Sequence, residues 1–167
     1  MAIDRLTATI QPVAPFNFEL TAGYHTYFQS RYGTDTMEDG IYRRLLDLGD
    51  KLVLASVRSA GTVDAPELAL ELQGPELSLE NVDLATERIS WLLGVDQDLA
   101  PFYELGRADE AMSGLVDEFY GLHLPHTATV FEALVLAVLG QQISTSVARI
   151  IRTLLIETFG PSADFDG

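Results

Sequence analysis

Val130-Phe-Glu-Ala-Leu-Val-Leu-Ala-Val-Leu-Gly-Gln-Gln-Ile-Ser144 reads as an apolar helix stopped at Gly140, a corner of two glutamines, and a serine placed to cap a second helix. Thr129 and Glu132 form the threonine-x-x-glutamate pattern of a capping box at the start of the first helix. Val147, Ile150, Ile151, Leu154 and Leu155 then stripe one face of the second, which Gly160-Pro161 closes. The first helix is apolar on most sides and expects neighbours on most sides. The helices upstream do not supply them, and residues 161–167 have no evident partner. The expectation is that these 167 residues are part of a longer polypeptide.

Upstream of this pair, apolar residues recur at helical spacing as far back as Gly74-Pro75. Val82, Ala85, Ile89, Leu92 and Leu93 form one stripe, with Asn81 as its expected N-cap and Gly94 as its stop. Leu99, Phe102, Tyr103 and Leu105 predict a short helix with Pro101 in its first turn. Met112, Leu115, Val116 and Phe119 predict another, ended by Gly121. Before Gly74 the period is two. Leu6, Ala8 and Ile10 alternate with threonines, and Phe16, Phe18 and Leu20 alternate with Asn17 and Glu19, so both stretches read as strands. Residues 41–48 and 51–57 flank Gly49-Asp50, a two-residue hairpin signal, and Leu68, Leu70 and Leu72 mark a further strand after a loop at 59–65. Residues 21–31 have the length and aromatic content of a helix closed by Gly33. The predicted fold is α+β: an antiparallel sheet domain with one packed helix over residues 1–75, then an α-helical region over 76–167.

Composition bounds the function. Hydrophobic residues make up 47% and charged residues 21%, enough apolar material for a core and too little charge for disorder. Met1-Ala-Ile-Asp-Arg-Leu6 does not read as a leader, and the longest apolar run, Ala133 to Leu139, is far shorter than the ~20 residues of a membrane span. The absence of cysteine excludes disulfide and thiolate chemistry and suits a reducing cytoplasm, the expected location. A net charge of −15, with Lys51 and nine arginines against twenty-five acids, opposes nucleic-acid binding by the chain as a whole. His25, His123 and His126 are too scattered for a metal site, and no carboxylate stands in an apolar frame beside a partner for acid–base work. Neither a metal nor a cofactor is expected.

Gln141 and Gln142 admit two readings. They are solvated amides in a helix–helix turn, or flat uncharged groups with donors and an acceptor held out toward a partner. Tyr24, Tyr27 and Phe28 either pack on the sheet or present an aromatic face to a ligand. Tyr42-Arg43-Arg44 offers phosphate contacts, although arginines on a strand more often make surface ion pairs.

Several stretches share a resemblance. Pro15-Phe-Asn-Phe-Glu-Leu-Thr-Ala-Gly-Tyr24, Asp96-Gln-Asp-Leu-Ala-Pro-Phe-Tyr103, Gly121-Leu-His-Leu-Pro125 and the helix pair at 131–160 with its Gly-Gln-Gln-Ile-Ser corner are similar to the N-terminal part of AlkA-like 3-methyladenine DNA glycosylase II, of the helix-hairpin-helix superfamily. The resemblance implies a sheet like half of the TATA-box-binding-protein fold, followed by the first helices of the glycosylase domain. It implies a partner, double-stranded DNA containing alkylated bases, and hydrolytic removal of alkylated purines without a metal. Gln142 matches the position that fills the space of the flipped base, Gln141 its neighbour, Ser144 the end of the corner, and Tyr24 an aromatic lining the base pocket, where stacking on an electron-poor ring gains cation–π attraction. The hairpin that grips phosphate and the aspartate that stabilises the departing sugar have no match in residues 1–167, so no catalytic residue is assigned and the chain alone is expected to be inactive. The competing hypothesis is a non-catalytic protein-interaction or assembly module, which the acidity favours.

Overall fold

The computed structural model describes residues 3–27 and 35–165. Five strands, β1 (Ile3–Ile10), β2 (Asp35–Glu38), β3 (Ile41–Asp47), β4 (Leu52–Ser59) and β5 (Leu68–Pro75), form one antiparallel sheet in the order β1-β5-β4-β3-β2. Register carries the alternation across the strands: Leu6 opposes Leu72, Leu72 opposes Ala55, and Ala55 opposes Arg44. One face therefore gathers Tyr42, Leu46, Val53, Val57, Leu68 and Leu70, all buried. Gly49-Asp50 turns β3 into β4 as expected, with the Leu48 amide donating to the Lys51 carbonyl.

Two stretches of the first half differ from the sequence reading. The alternation at Phe16 and Phe18 is not a strand. Asn17 ends the extended segment by accepting the Leu20 amide on its side chain, which starts helix α1 (Phe18–Tyr27). Both phenylalanines are buried, so the period-two burial is real but spans too few residues to separate strand from helix entry. Strand β2 was not foreseen. Its turn, Asp39-Gly40, has φ of +52° and +73° at the two residues, the paired positive angles of a type I′ hairpin, for which Asp-Gly is a favoured sequence. Phe28 and the expected stop at Gly33 lie outside the described residues.

Helix α2 (Leu79–Leu93) buries the stripe Val82, Ala85, Ile89, Leu92 and Leu93 in the same core as the sheet and α1. Its N-cap is Ser78, not Asn81. Asn81 is the third helical residue, and its side chain returns to the Ser78 amide in a reciprocal capping box. Gly94 ends the helix at φ +60°. Helices α3 (Ala100–Ala108) and α4 (Ser113–Glu118) follow and bury little beyond Tyr103, Gly106 and Val116. After α4, Gly121 sits at φ +83° with its carbonyl accepting the Asn17 amide, where a side chain would meet that nitrogen. The chain then enters α5 (Val130–Leu139) and α6 (Thr145–Phe159).

His123 lies in the connection after α4 and is fully buried. Its Nδ1 faces the Gly94 carbonyl at 2.7 Å and its Nε2 the Pro15 carbonyl at 2.9 Å, while its backbone amide donates to Thr21 Oγ1 at 3.1 Å. One residue thus joins the entry to α1, α1 itself and the end of α2.

Candidate nucleic-acid interface

Helices α5 and α6 meet at the glutamine corner. Thr129 Oγ1 accepts the Glu132 amide and Ser144 Oγ the Val147 amide, so both helices are capped at the residues expected. The Gly140 amide still bonds back to Leu136, and the Gln141 amide to Val138. Gln142 then turns the chain with φ +57°, an angle that is rare outside glycine and strains the backbone. Gln141, Gln142 and Ser144 are all exposed, with the amide side chains at the tip of the hairpin. Tyr24 is exposed on α1, in the sheet part of the chain, and no described contact joins it to the corner. Tyr27 is also on α1.

The base of the hairpin is tied to the sheet by charge. Arg44 is 6% exposed on the core face of β3; one guanidinium nitrogen donates to both oxygens of Asp35, at 2.8 and 3.0 Å, and the other to Glu132 Oε2 at 3.0 Å. Glu132 also receives Arg152 of α6 at 3.5 Å and the Ala128 amide at 3.1 Å. Its carboxylate therefore closes the capping box one residue early, on Ala128 instead of Thr129. Tyr42 donates its hydroxyl to Asp35. Burial works against the charge on Arg44, but the Asp35 and Glu132 carboxylates outweigh it and hold the guanidinium above its ordinary range. Tyr42 is pushed well above the usual phenol range, first by burial and then by the Asp35 charge. Neither Tyr42 nor Arg44 is the surface group the sequence suggested; only Arg43, between them, points to the other face. Strand alternation with Tyr42 and Leu46 was the signal that places Arg44 inward.

An open cleft of about 1540 Å³ separates the sheet and α2 from this hairpin, lined among others by Arg44, Trp91, Phe131, Glu132, Leu155 and Phe159. Trp91 stacks on His126 at 4.3 Å between ring centres and donates to the Thr127 carbonyl, which fixes the lead into α5 against α2. No residue of α5 or α6 is buried, and Val130, Phe131 and Phe159 are more than three-quarters exposed, so the neighbours expected for α5 are not supplied by the described residues. No group of three or more metal-ligating side chains occurs among the described residues, and no helix is long and apolar enough to cross a membrane.

A buried phenol sets one pH dependence. Because the Tyr42 pKa is raised, the folded state keeps its proton after the unfolded state has lost it. The contribution is intact below the unfolded value of about 10 and is lost as pH rises above it, at about 1.4 kcal/mol per pH unit. Urea melts between pH 9 and pH 11 are expected to show this slope, taken as the difference from Tyr42→Phe; equal slopes in the two proteins refute it.

Over 147 residues, 88% of the chain, the sequence is 31% identical to a probable bifunctional transcriptional activator/DNA repair enzyme AlkA of Mycobacterium tuberculosis. Over 73 residues it is 40% identical to a DNA-3-methyladenine glycosylase of Bacillus subtilis. The chain is AlkA-like. Its fold also superposes on a 3-methyladenine DNA-glycosylase from Archaeoglobus fulgidus with a TM-score of 0.76 at 21% identity, over 96% of the chain. No family model matches it. The AlkA-like chain spans 28% and 24% of the two curated relatives and 53% of the archaeal structure.

Proposed function

We propose that this AlkA-like chain is the N-terminal portion of a cytoplasmic base-excision repair enzyme, a DNA glycosylase that hydrolyses the N-glycosidic bond of alkylated purines of the 3-methyladenine type. Residues 1–75 act as the sheet domain and 76–167 as the start of the helical domain. The observation that carries the reading is the exposed, capped corner at Gly140–Ser144, in a chain with one relative named a DNA-3-methyladenine glycosylase and another named a DNA repair enzyme. Flipping a base out of duplex DNA costs a few kcal/mol and leaves a gap beside an orphaned partner. The Gln142 amide, held outward by its left-handed backbone, fills that gap; Gln141 and the Ser144 end of the corner flank it; Tyr24 stacks on the extruded base. The local chemistry supports this in one respect: residues 140–144 offer amide donors and acceptors with no carboxylate among them, so the corner itself adds no repulsion toward phosphate.

The test is release of 3-methyladenine from methylated duplex DNA. These 167 residues alone are expected to release none, and a longer polypeptide that begins with them is expected to be active. In that polypeptide Gln142→Ala should lower kcat/KM about fivefold, the loss of roughly one hydrogen bond at the gap. No activity in the longer polypeptide, or an unchanged rate with Gln142→Ala, would overturn the corresponding part of the reading.

A further inference from the structure

Among the described residues no helix covers the face of the sheet turned away from the core, and its central hollow holds more arginines than carboxylates. Arg43 of β3 pairs with Ser56 of β4, which pairs with Glu71 of β5, which pairs with Thr7 of β1. One step along, Arg58 pairs with Ala69, and Ala69 with Thr9. Alternation places all of these on the outer face. Glu71 is matched by Arg5 at 4.0 Å, whereas Arg43 and Arg58 have no ion-pair partner among the described residues. Glu38 stands at the far end of the Arg58 row, across Ile41, but the hollow itself is lined by Arg43 and Arg58 against Glu71 alone, a local excess of positive charge in a chain with a net charge of −15.

The same face already holds a guest. Phe165, in the segment for which the sequence offered no partner, is half-buried against a hollow of about 600 Å³ whose walls include Thr7, Thr9, Arg43, Ser56 and Arg58. In sequence Phe165 stands between Asp164 and Asp166. The guest is thus an aromatic flanked by carboxylates, and its host is a flat sheet with two unmatched arginines.

We propose that the outer sheet face is a docking surface for acidic–aromatic peptide segments of a partner protein, and that the chain's own Phe165 occupies it in their absence. The ring of such a peptide would cover the small side chains at the centre of the face, and its carboxylates would find Arg43 and Arg58 still without an ion-pair partner among the described residues. Charge complementarity selects the peptide, and the hollow left beside Phe165 leaves room for more of one. Glu71 in the middle row disfavours a continuous polyanion such as a nucleic-acid backbone, but is tolerated by a peptide whose charges are spaced around a ring.

The experiment uses the whole chain and a fluorescein-labelled peptide copying residues 161–167. Binding is expected to shift the amide resonances of Thr7, Thr9 and Ser56. Phe165→Ala, which removes the internal competitor, should tighten peptide binding about tenfold. The double variant Arg43→Glu, Arg58→Glu should weaken it about tenfold, with Arg43→Gln, Arg58→Gln as the milder pair if the first fails to fold. A peptide with phenylalanine replaced by alanine should not bind. No tightening with Phe165→Ala, binding indifferent to both arginine pairs, or displacement of the peptide by duplex DNA with the same resonances shifted would each overturn the proposal.

Discussion

Arg44→Ala is expected to destabilise the protein by about 4 kcal/mol and to lower Tm by about 12 °C, because it takes away the buried guanidinium that the Asp35 and Glu132 carboxylates share. Asp35, 2% exposed, loses the guanidinium nitrogen that meets both of its oxygens, while Glu132 loses the stronger of its two arginines. Arg43→Ala, one residue away on the opposite face, is the control and should stay within about 0.5 kcal/mol. The paired replacement Asp35→Leu, Arg44→Met removes a buried carboxylate together with its guanidinium and should recover part of the loss, the remainder lying with Glu132 and the Tyr42 hydroxyl, which each lose a partner. Thermal and urea melts followed by circular dichroism decide it: a loss below about 1 kcal/mol for Arg44→Ala would mean that the cluster is wetter than its burial indicates.

His123→Leu is expected to cost about 3 kcal/mol, or roughly 9 °C in Tm. Leucine has similar bulk, so the loss does not come from a cavity. It comes chiefly from the Pro15 carbonyl, which loses its ring partner, and in lesser part from the Gly94 carbonyl, which keeps the Gln97 amide. Thr21 Oγ1 keeps its bond to the backbone amide of residue 123 and should hold the segment in place. The edge-to-face contact with Phe16, 4.8 Å between ring centres, is lost as well. Melts that superpose on those of the unaltered protein would show that the ring is a spectator.

What the sequence makes legible follows how local each signal is. The α2 stripe and the Gly94 stop are written within one helix, and the structure buries every stripe residue named. The glutamine corner is equally local, fixed by Gly140 on one side and the Ser144 cap on the other. The cap of α2 was misplaced by one turn because serine and asparagine both cap well, and only the reciprocal hydrogen bonds show which residue comes first. Strand β2 escaped notice because its four residues are mostly polar, leaving Asp39-Gly40 as its sole mark. Arg44 is the instructive miss. Its charge suggests the surface, although its place in the β3 alternation puts it inside; its partners lie 9 and 88 residues away, and nothing local foretells them. His123 is hidden for the same reason, since its acceptors lie 29 and 108 residues off.

The two ways in which helices are attached here have different mechanical meanings. A greasy seam such as that of α2 must be parted along its whole length before the helix can shift. The α5–α6 pair is moored at its foot by the Trp91–His126 stack and a few ions, and the ions can trade partners one at a time. Such an attachment lets the tip tilt while the sheet beneath keeps its shape, a tolerance that the proposed entry of Gln142 into a distorted duplex would use.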